Sequence, residues 1–328
     1  MLSFLCSLPI LVQIGLLIVG VLGCIKIYLK MTMGICTSTK KLSGKTVIIT
    51  GANTGIGKET AIDLAKRGAR VILACRDLKK AAIAKDDIIR ESRNKNVFVR
   101  QLDLASLKSV RKFAAEILKS ELRLDILINN AGCATIEKKL TEDGLEVQMQ
   151  SNHFGHFLLT NLLLGLLKKS APSRIIHVSS VAHAMTKTLD LNNLNSELSY
   201  NTGTVYYYSK LSQVLCTRHL APLISSSGVT VNCLHPGAVE TEIFRNAPSW
   251  FKMIAAVCFP LFFKSAKEGA QTTIHLAVAD EVANITGEYF SDCKVAKTSK
   301  LANDVGLAKK LWEVSETFVN LKPEERHF

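Results

Sequence analysis

The side chains best suited to chemistry are Tyr206 and Lys210, one helical turn apart in the run Tyr206-Tyr207-Tyr208-Ser209-Lys210. On a helix, residues four apart share a face, so the phenol and the ammonium are neighbours. A free tyrosine loses its proton only near a pH of about 10, too high for a base at neutrality, and an adjacent positive charge favours the phenolate. Such a pair can exchange a proton with a substrate oxygen. The same spacing also describes a solvated helix with one tyrosine packed on a core, so the pair needs partners to acquire meaning. Tyr207 and Tyr208 lack the spacing to Lys210 and read as packing residues.

One set of partners lies near the start of the folded region. Thr50-Gly51-Ala52-Asn53-Thr54-Gly55-Ile56-Gly57 follows the apolar run Thr46 to Thr50 and precedes a helix-like stretch that ends at Gly68, a C-terminal cap. Glycines let the backbone approach a pyrophosphate, and the new helix points its free N–H groups at that anion. The spacing departs from GxGxxG, but the required strand, turn and helix are in place. The next apolar run ends in Ala74-Cys75-Arg76-Asp77. Arg76 there suits a 2′-phosphate and favours NADP(H) over NAD(H). A strand one residue longer would instead bring Asp77 onto the ribose hydroxyls and favour NAD. Asp103 with Leu104, and the run Asn129-Asn130-Ala131-Gly132, end two further apolar runs and line the same crevice; Asp103 is equally placed to cap a helix.

Elements to position these groups follow from periodicity. Apolar runs at Thr46 to Thr50, Arg70 to Ala74, Val97 to Leu102, Ile126 to Ile128, Arg174 to Val178, Thr230 to Leu234 and Glu288 to Phe290 alternate with helix-like stretches. This predicts an α/β fold, a doubly wound parallel Rossmann sheet in a single domain. Leu2 to Ile25 carries no charge and suits a bilayer span. The chain therefore divides into an N-terminal transmembrane helix as membrane anchor (1–29), a linker (30–44) and a catalytic domain (45–328). Lys26, Lys30, Lys40, Lys41 and Lys45 all precede the first acid, Glu59, which places the domain in the cytosol. A cleaved signal is the rival, but it lacks a basic start. In a cytosolic domain the sequon Asn284-Ile285-Thr286 stays unused. The apolar stretch 244–263 reads as a substrate lid or as an ordinary core helix.

Composition removes other classes. The formal charge is +13 in 328 residues, yet basic and acidic residues are interspersed without an aromatic stripe, which excludes nucleic acid as a partner. The nine cysteines form no CxxC pair and show no zinc spacing with histidine, so neither a metal site nor a disulfide framework is expected. Cys75, Cys216 and Cys233 read as small buried filler.

Taken with the Ser179-Ser180 pair that ends an earlier strand, these motifs resemble the short-chain dehydrogenase/reductase family over essentially the whole chain after residue 44. TGANTGIGKETA, ACRD, NHFGHFLLTNLL, VSSVAH, YSKL, HPGAVETE and GEYFSDC are similar to the retinol-dehydrogenase branch, whose members carry an N-terminal membrane segment. The resemblance implies Tyr206 as general acid/base, with Lys210 lowering its pKa and holding the nicotinamide ribose. It gives Ser180, rather than Ser179, to the substrate oxygen, and has Asn152 steady a water between Lys210 and solvent. Gly51, Asn53, Thr54, Gly55, Ile56, Gly57, Arg76, Asp103, Leu104, Asn130, Ala131, Gly132, Pro236, Gly237, Val239 and Thr241 would hold the dinucleotide, Thr241 near the carboxamide. His153, His156, His177, His183 and His235 flank these motifs, but the family's chemistry needs none of them. The implied activity is NADP(H)-dependent oxidoreduction of a lipophilic alcohol or carbonyl resembling retinol or retinaldehyde, at the endoplasmic reticulum, with a homodimer formed through the helices holding Asn152 and Tyr206. Steroid or lipid-aldehyde reduction, and a non-catalytic membrane-bound scaffold, are the alternatives.

Overall fold

β-Branched and aliphatic residues dominate the strands, as a sheet covered on both faces requires. A computed structural model describes residues 9–239 and 263–328. β1 (Thr46–Thr50), β2 (Arg70–Cys75), β3 (Val97–Gln101), β4 (Ile126–Asn129), β5 (Ser173–Val178), β6 (Val229–Leu234) and β7 (Tyr289–Ser291) are parallel, in the order β3-β2-β1-β4-β5-β6-β7. β8 (Lys294–Val295) adds antiparallel to β7, an edge too short for periodicity to reveal. Strand order reverses between β1 and β4, opening a crevice at the carboxyl ends where ligands of such sheets bind.

The helices are α1 (Ile10–Thr32), α2 (Gly55–Lys66), α3 (Leu78–Ser92), α4 (Leu107–Ser120), α5 (Gly155–Lys169), α6 (Thr202–Leu223), α7 (Gln271–Val278) and α8 (Val305–Phe318), with shorter turns between. Alternate strand residues face opposite layers. Ile48, Ile72, Leu127, Ile175 and Val231 pack under α4, α5, α6 and α8, whereas Val47, Ile49, Val71, Leu73 and Ile128 pack under α2, α3 and α7. The doubly wound parallel sheet expected from the alternating runs is therefore the one observed.

Three expectations concern the edges of the domain. Residues 1–8 of the expected anchor lie outside the described residues, and among the described residues no helix is long and apolar enough to cross a membrane. α1 runs on to Thr32, into the expected linker, and the rest of that linker is strapped to the domain. The Gly34 amide donates to Asp292 (3.1 Å), the Cys36 amide to Gln271 (3.1 Å), and the Arg67 guanidinium to the carbonyls of Ser38 (2.7 Å) and Lys40 (3.0 Å). The stretch read as a lid or core helix, and Thr241, fall outside the described residues apart from Phe263.

The C-terminus covers the outer face of α5 and α6, the helices through which pairing was expected. α8 packs on α6; Trp312 meets Phe157 edge-on at 4.7 Å, and Phe328 closes over Trp312 at 5.2 Å.

The join between β1 and β4 hangs on one hydroxyl. Thr50 Oγ1 accepts hydrogen bonds from the amides of Asn130 and Ala131, both at 2.9 Å, and lies 2.9 Å from His156 Nε2. His156 Nδ1 faces the Asn152 carbonyl at 3.1 Å and must donate to it, so Nε2 is the acceptor of the Thr50 proton. Thr50→Val keeps the shape but strands two buried amides and an imidazole nitrogen. It is expected to destabilise the fold by about 1–3 kcal/mol in urea unfolding, and an unchanged midpoint would refute this role.

Candidate active site

The glycine turn is built by contact between the ends of β1 and β4. Gly51 has φ +64°, and a Cβ there would lie 3.0 Å from Ala131 Cα. A Cβ on Gly57 would come within 2.6 Å of both Asn130 Nδ2 and the Gly51 carbonyl. Asn130 completes the join by donating from Nδ2 to the Thr50 carbonyl at 2.8 Å. Gly55 differs: its φ is +55°, and nothing lies within 4 Å of where its Cβ would stand. Its backbone is open to an approaching group, on the turn shared with Asn53 and Thr54.

Thr54 makes no side-chain cap to α2, whose first turn contains no acid. The helix thus keeps its free N–H groups and the positive end of its dipole for an external anion. That donor set fits a dinucleotide pyrophosphate. Ile56 and Val239 meet over Gly269, where an added Cβ would sit 2.6 Å from a Val239 methyl and 3.3 Å from Ile56.

The strand-end residues separate by what their side chains already do. β2 runs to Cys75, one residue past the Ala74 end of its apolar run and so the longer strand that would favour Asp77 on the ribose, yet Asp77 caps α3 by accepting from the Lys80 amide at 3.0 Å. Arg76, exposed, is left as the charged group immediately beyond the strand. Asp103 does not cap α4: Ser106 does, while Asp103 accepts from the Ala105 amide at 3.0 Å in a local turn. The Leu104 side chain is in the core, and its carbonyl packs against Gly155 at the start of α5. Gly237 (φ +89°) donates its amide to His235 Nδ1 at 3.0 Å, turning the chain after Pro236.

The proton-handling group assembles between β5, α6 and a π turn. Lys210 is 3% exposed; its Nζ donates to the Val178 carbonyl at 3.0 Å and stands 5.8 Å from the centre of the Tyr206 ring. Burial drives the ammonium down to about 8. Burial also drives the half-buried Tyr206 phenol up to about 12, against the opposing hydrogen bond from Ser180. The phenol therefore keeps its proton at neutrality.

Ser180 also accepts from the Ala182 amide at 3.2 Å, which fixes its rotamer at the mouth of a short 3-10 turn, Val181–Ala184. Ser179 is occupied otherwise, donating to the Lys210 carbonyl at 2.8 Å.

Asn152 lies in the π turn Gln150–Phe154 and clamps Cys133 from both sides. Its Oδ1 accepts from the Cys133 amide (2.8 Å) while Nδ2 donates to the Cys133 carbonyl (2.9 Å) and to Ser209 Oγ (3.0 Å). Its carbonyl accepts from Gln213 Nε2 at 2.7 Å and from His156. Asn152 thereby holds the loop after Gly132, while its Oδ1 borders the same space as Lys210 Nζ, 3.6 Å from where a Gly132 Cβ would stand. Gly132 keeps the space by the ammonium clear, since a Cβ there would stand 3.4 Å from Lys210 Nζ. Gln213, a buried amide one turn beyond Lys210, was missed in the sequence; its only signal was a polar residue on an apolar helix.

Buried histidines surround this group as neutral hydrogen-bonding parts. Burial lowers His153 and His156 to about 3 and His177 to about 4. His153 Nε2 contacts Ser315 at 2.8 Å, and His177 Nδ1 faces Asn129 Nδ2 at 3.2 Å.

This fold and arrangement agree with what comparison with known proteins finds. Residues 45–252 match the family model for short chain dehydrogenase, and the chain belongs to that family. Its relatives include human retinol dehydrogenase 13, 48% identical over 89% of each chain, and human retinol dehydrogenase 11, 47% identical over 87% of this chain and 89% of that protein. The chain thus falls in the retinol-dehydrogenase-like branch. Among solved structures it is similar to an uncharacterised Mycobacterium paratuberculosis protein (TM-score 0.71, 33% identity, covering 88% of this chain and 98% of that one). It is also similar to a Pseudomonas aeruginosa RhlG/NADP active-site complex (TM-score 0.62, 27% identity, 76% of this chain and 95% of that one). The protein is accordingly a pyridine-nucleotide-dependent oxidoreductase that acts between CH–OH and C=O groups.

The Lys210 charge carries a stability signature. Between pH 8 and 10.5 an unfolded lysine still holds its proton whereas the buried one has lost it. The unfolded state then binds more protons, so raising the pH stabilises the fold through this residue. Relative to Lys210→Met, wild type is expected to gain stability across that interval, by on the order of 1–3 kcal/mol. A pH-independent difference in denaturation midpoints would contradict the buried charge.

Proposed function

We propose that the protein is a membrane-anchored, NADPH-dependent reductase of retinaldehyde or similar lipophilic carbonyl compounds. The observation that carries the direction is the Tyr206 phenol, held protonated by burial at about 12 and hydrogen-bonded to Ser180. A retained proton suits a group that gives it to a developing alkoxide. When bound, the nicotinamide supplies the hydride. Ser180 and Tyr206 orient the carbonyl oxygen by hydrogen bonds, and Tyr206 protonates it as charge develops. Lys210 then stabilises the phenolate left behind, a task it performs while charged, below about pH 8.

Gly51, Gly55 and Gly57 with the free end of α2 take the pyrophosphate in this reading, assisted by Asn53, Thr54 and Ile56. Asp103, Leu104, Asn130, Ala131 and Gly132 border the adenosine and ribose side, and Pro236, Gly237, Val239 and Thr241 the nicotinamide side. Arg76 takes the 2′-phosphate, a preference supported by the commitment of the Asp77 carboxylate to capping α3. A lipophilic substrate is supported by exposed Ile136, Leu140, Val181, Met185 and Leu198 on the loops that flank Ser180. It is also supported by the retinol dehydrogenase relatives. Anchorage is supported by the uncharged run Leu2 to Ile25 and by exposed Ile10, Leu17 and Ile27 on α1. The lysines after that run place the catalytic domain in the cytosol, at the endoplasmic reticulum by resemblance.

Full-length enzyme assayed with NADPH and NADH against retinaldehyde, a steroid ketone and a medium-chain aldehyde tests the reading. NADPH with retinaldehyde should give the highest kcat/KM, and a strong NADH preference would reject the Arg76 assignment. Tyr206→Phe should abolish turnover while dinucleotide binding survives. Arg76→Ala should raise the NADPH KM roughly 10- to 100-fold with little effect on NADH, the loss of a charge-assisted hydrogen bond. Reductive kcat/KM should fall as the pH passes about 8, where Lys210 loses its charge. A profile flat to pH 10 would remove Lys210 from the mechanism. A wild type inactive on every carbonyl tried would favour the scaffold.

A further inference from the structure

The turn between β7 and β8 is strained in an informative way. Ser291 pairs with Lys294, so Asp292 and Cys293 alone form the hairpin loop, with φ of +48° and +60°. A two-residue loop with both central residues left-handed is ordinarily built from Asn-Gly, Asp-Gly or Gly-Gly, so the unusual residue here is Cys293, which stands where glycine is expected. Such strain persists where surrounding contacts over-determine it. Here the Cys293 amide donates to Thr272 Oγ1 at 3.2 Å, and the Asp292 carboxylate is the meeting point of two distant segments.

Lys264 Nζ donates to Asp292 Oδ1 at 2.6 Å, and the Gly34 amide donates to the same oxygen at 3.1 Å. Although burial opposes the charge, Lys264 and the Gly34 amide hold the carboxyl below the usual carboxylate range. The Lys264 side chain reaches this acceptor by crossing Gly237, where an added Cβ would lie 2.9 Å from both Cε and Nζ. Its own amide donates to the Ala238 carbonyl at 2.7 Å, and it pairs with Val239 in a parallel bridge. The lysine thus lies along the whole Gly237–Val239 segment and is fastened at its far end.

We propose that Lys264 and Asp292 are positioning residues for the Pro236–Val239 segment, and that their ion pair ties this segment to the N-terminal strap at Gly34. The proposal rests on the reading above that Pro236–Val239 borders the dinucleotide. Neither residue touches the reacting atoms. They set the backbone against which the nicotinamide side of the cofactor rests, and they make strap and cofactor segment one mechanical unit. Linkage between two sites is reciprocal, so dinucleotide binding should in turn steady the strap.

The test uses full-length protein in detergent: wild type, Lys264→Met, Asp292→Asn, the double variant and Lys264→Arg. NADPH affinity is read by fluorescence of the bound nicotinamide, and amide hydrogen exchange is read without cofactor over residues 34–41 and 236–239. Each single variant is expected to weaken binding roughly tenfold, the double variant no more than either single, and Lys264→Arg to restore most of the affinity. Exchange should quicken at both segments in Lys264→Met and Asp292→Asn, and NADPH should slow it at Gly34 in wild type. Unchanged exchange, additive losses in the double variant, or a loss in Lys264→Met with none in Asp292→Asn would each overturn the pairing. The last pattern would mean that Lys264 acts on the cofactor directly. Asp292→Asn keeps an acceptor for Gly34 and the same shape, so it answers even if Lys264→Met folds poorly. Wild type that binds neither dinucleotide would sink the functional reading on which the cofactor arm rests, while the exchange data still decide whether the pair holds the segment.

Discussion

Removing an ammonium from water costs several kcal/mol unless something compensates. Lys210 has the Val178 carbonyl as its hydrogen-bond acceptor, and among the described residues no carboxylate acts on it. Much of the local architecture follows from keeping that lone charge in place. Ser179 grips the Lys210 carbonyl from β5, so the helix bearing the charge is registered to the strand end it must face. Gly132 withholds a side chain from the space beside Nζ. The histidines packed nearby stay neutral, so no like charge is added to one already strained.

That arrangement is continuous with the cofactor end. The Thr50 hydroxyl that joins β1 to β4 also donates a hydrogen bond to His156, which donates to the Asn152 carbonyl, which Gln213 reaches from α6. Turn, π segment and catalytic helix therefore share one buried polar network, in which each member's orientation is dictated by the next. A neutral imidazole serves well here because one nitrogen donates and the other accepts, giving the chain of hydrogen bonds a direction.

Much of this was legible in the residues. The alternating apolar runs gave the parallel sheet because its strands are buried on both faces, and the turn at Gly51 to Gly57 was legible because close backbone approach demands glycine. Other features were invisible for physical reasons. β8 is two residues long, and Asp292-Cys293 lacks the glycine that would follow the aspartate in a recognisable two-residue turn. Whether Asp77 or Arg76 meets the crevice turns on one residue of strand length, and β2 ends one residue later than its apolar run, a difference periodicity does not fix. Asp103 and Ser106 are both good caps, three residues apart, and periodicity does not choose between them. The hold of Asn152 on the Cys133 backbone was not legible, because the two are distant in sequence and are brought close only by the π turn.

The aromatic closure over α5 and α6 has a bearing on assembly. Trp312 and Phe328 belong to the same chain as the face they cover, so they occupy it at every protein concentration. A tethered occupant competes at an effective concentration on the order of millimolar. Any partner that packs on this side of the sheet meets Trp312 and Phe328 rather than bare α5 and α6.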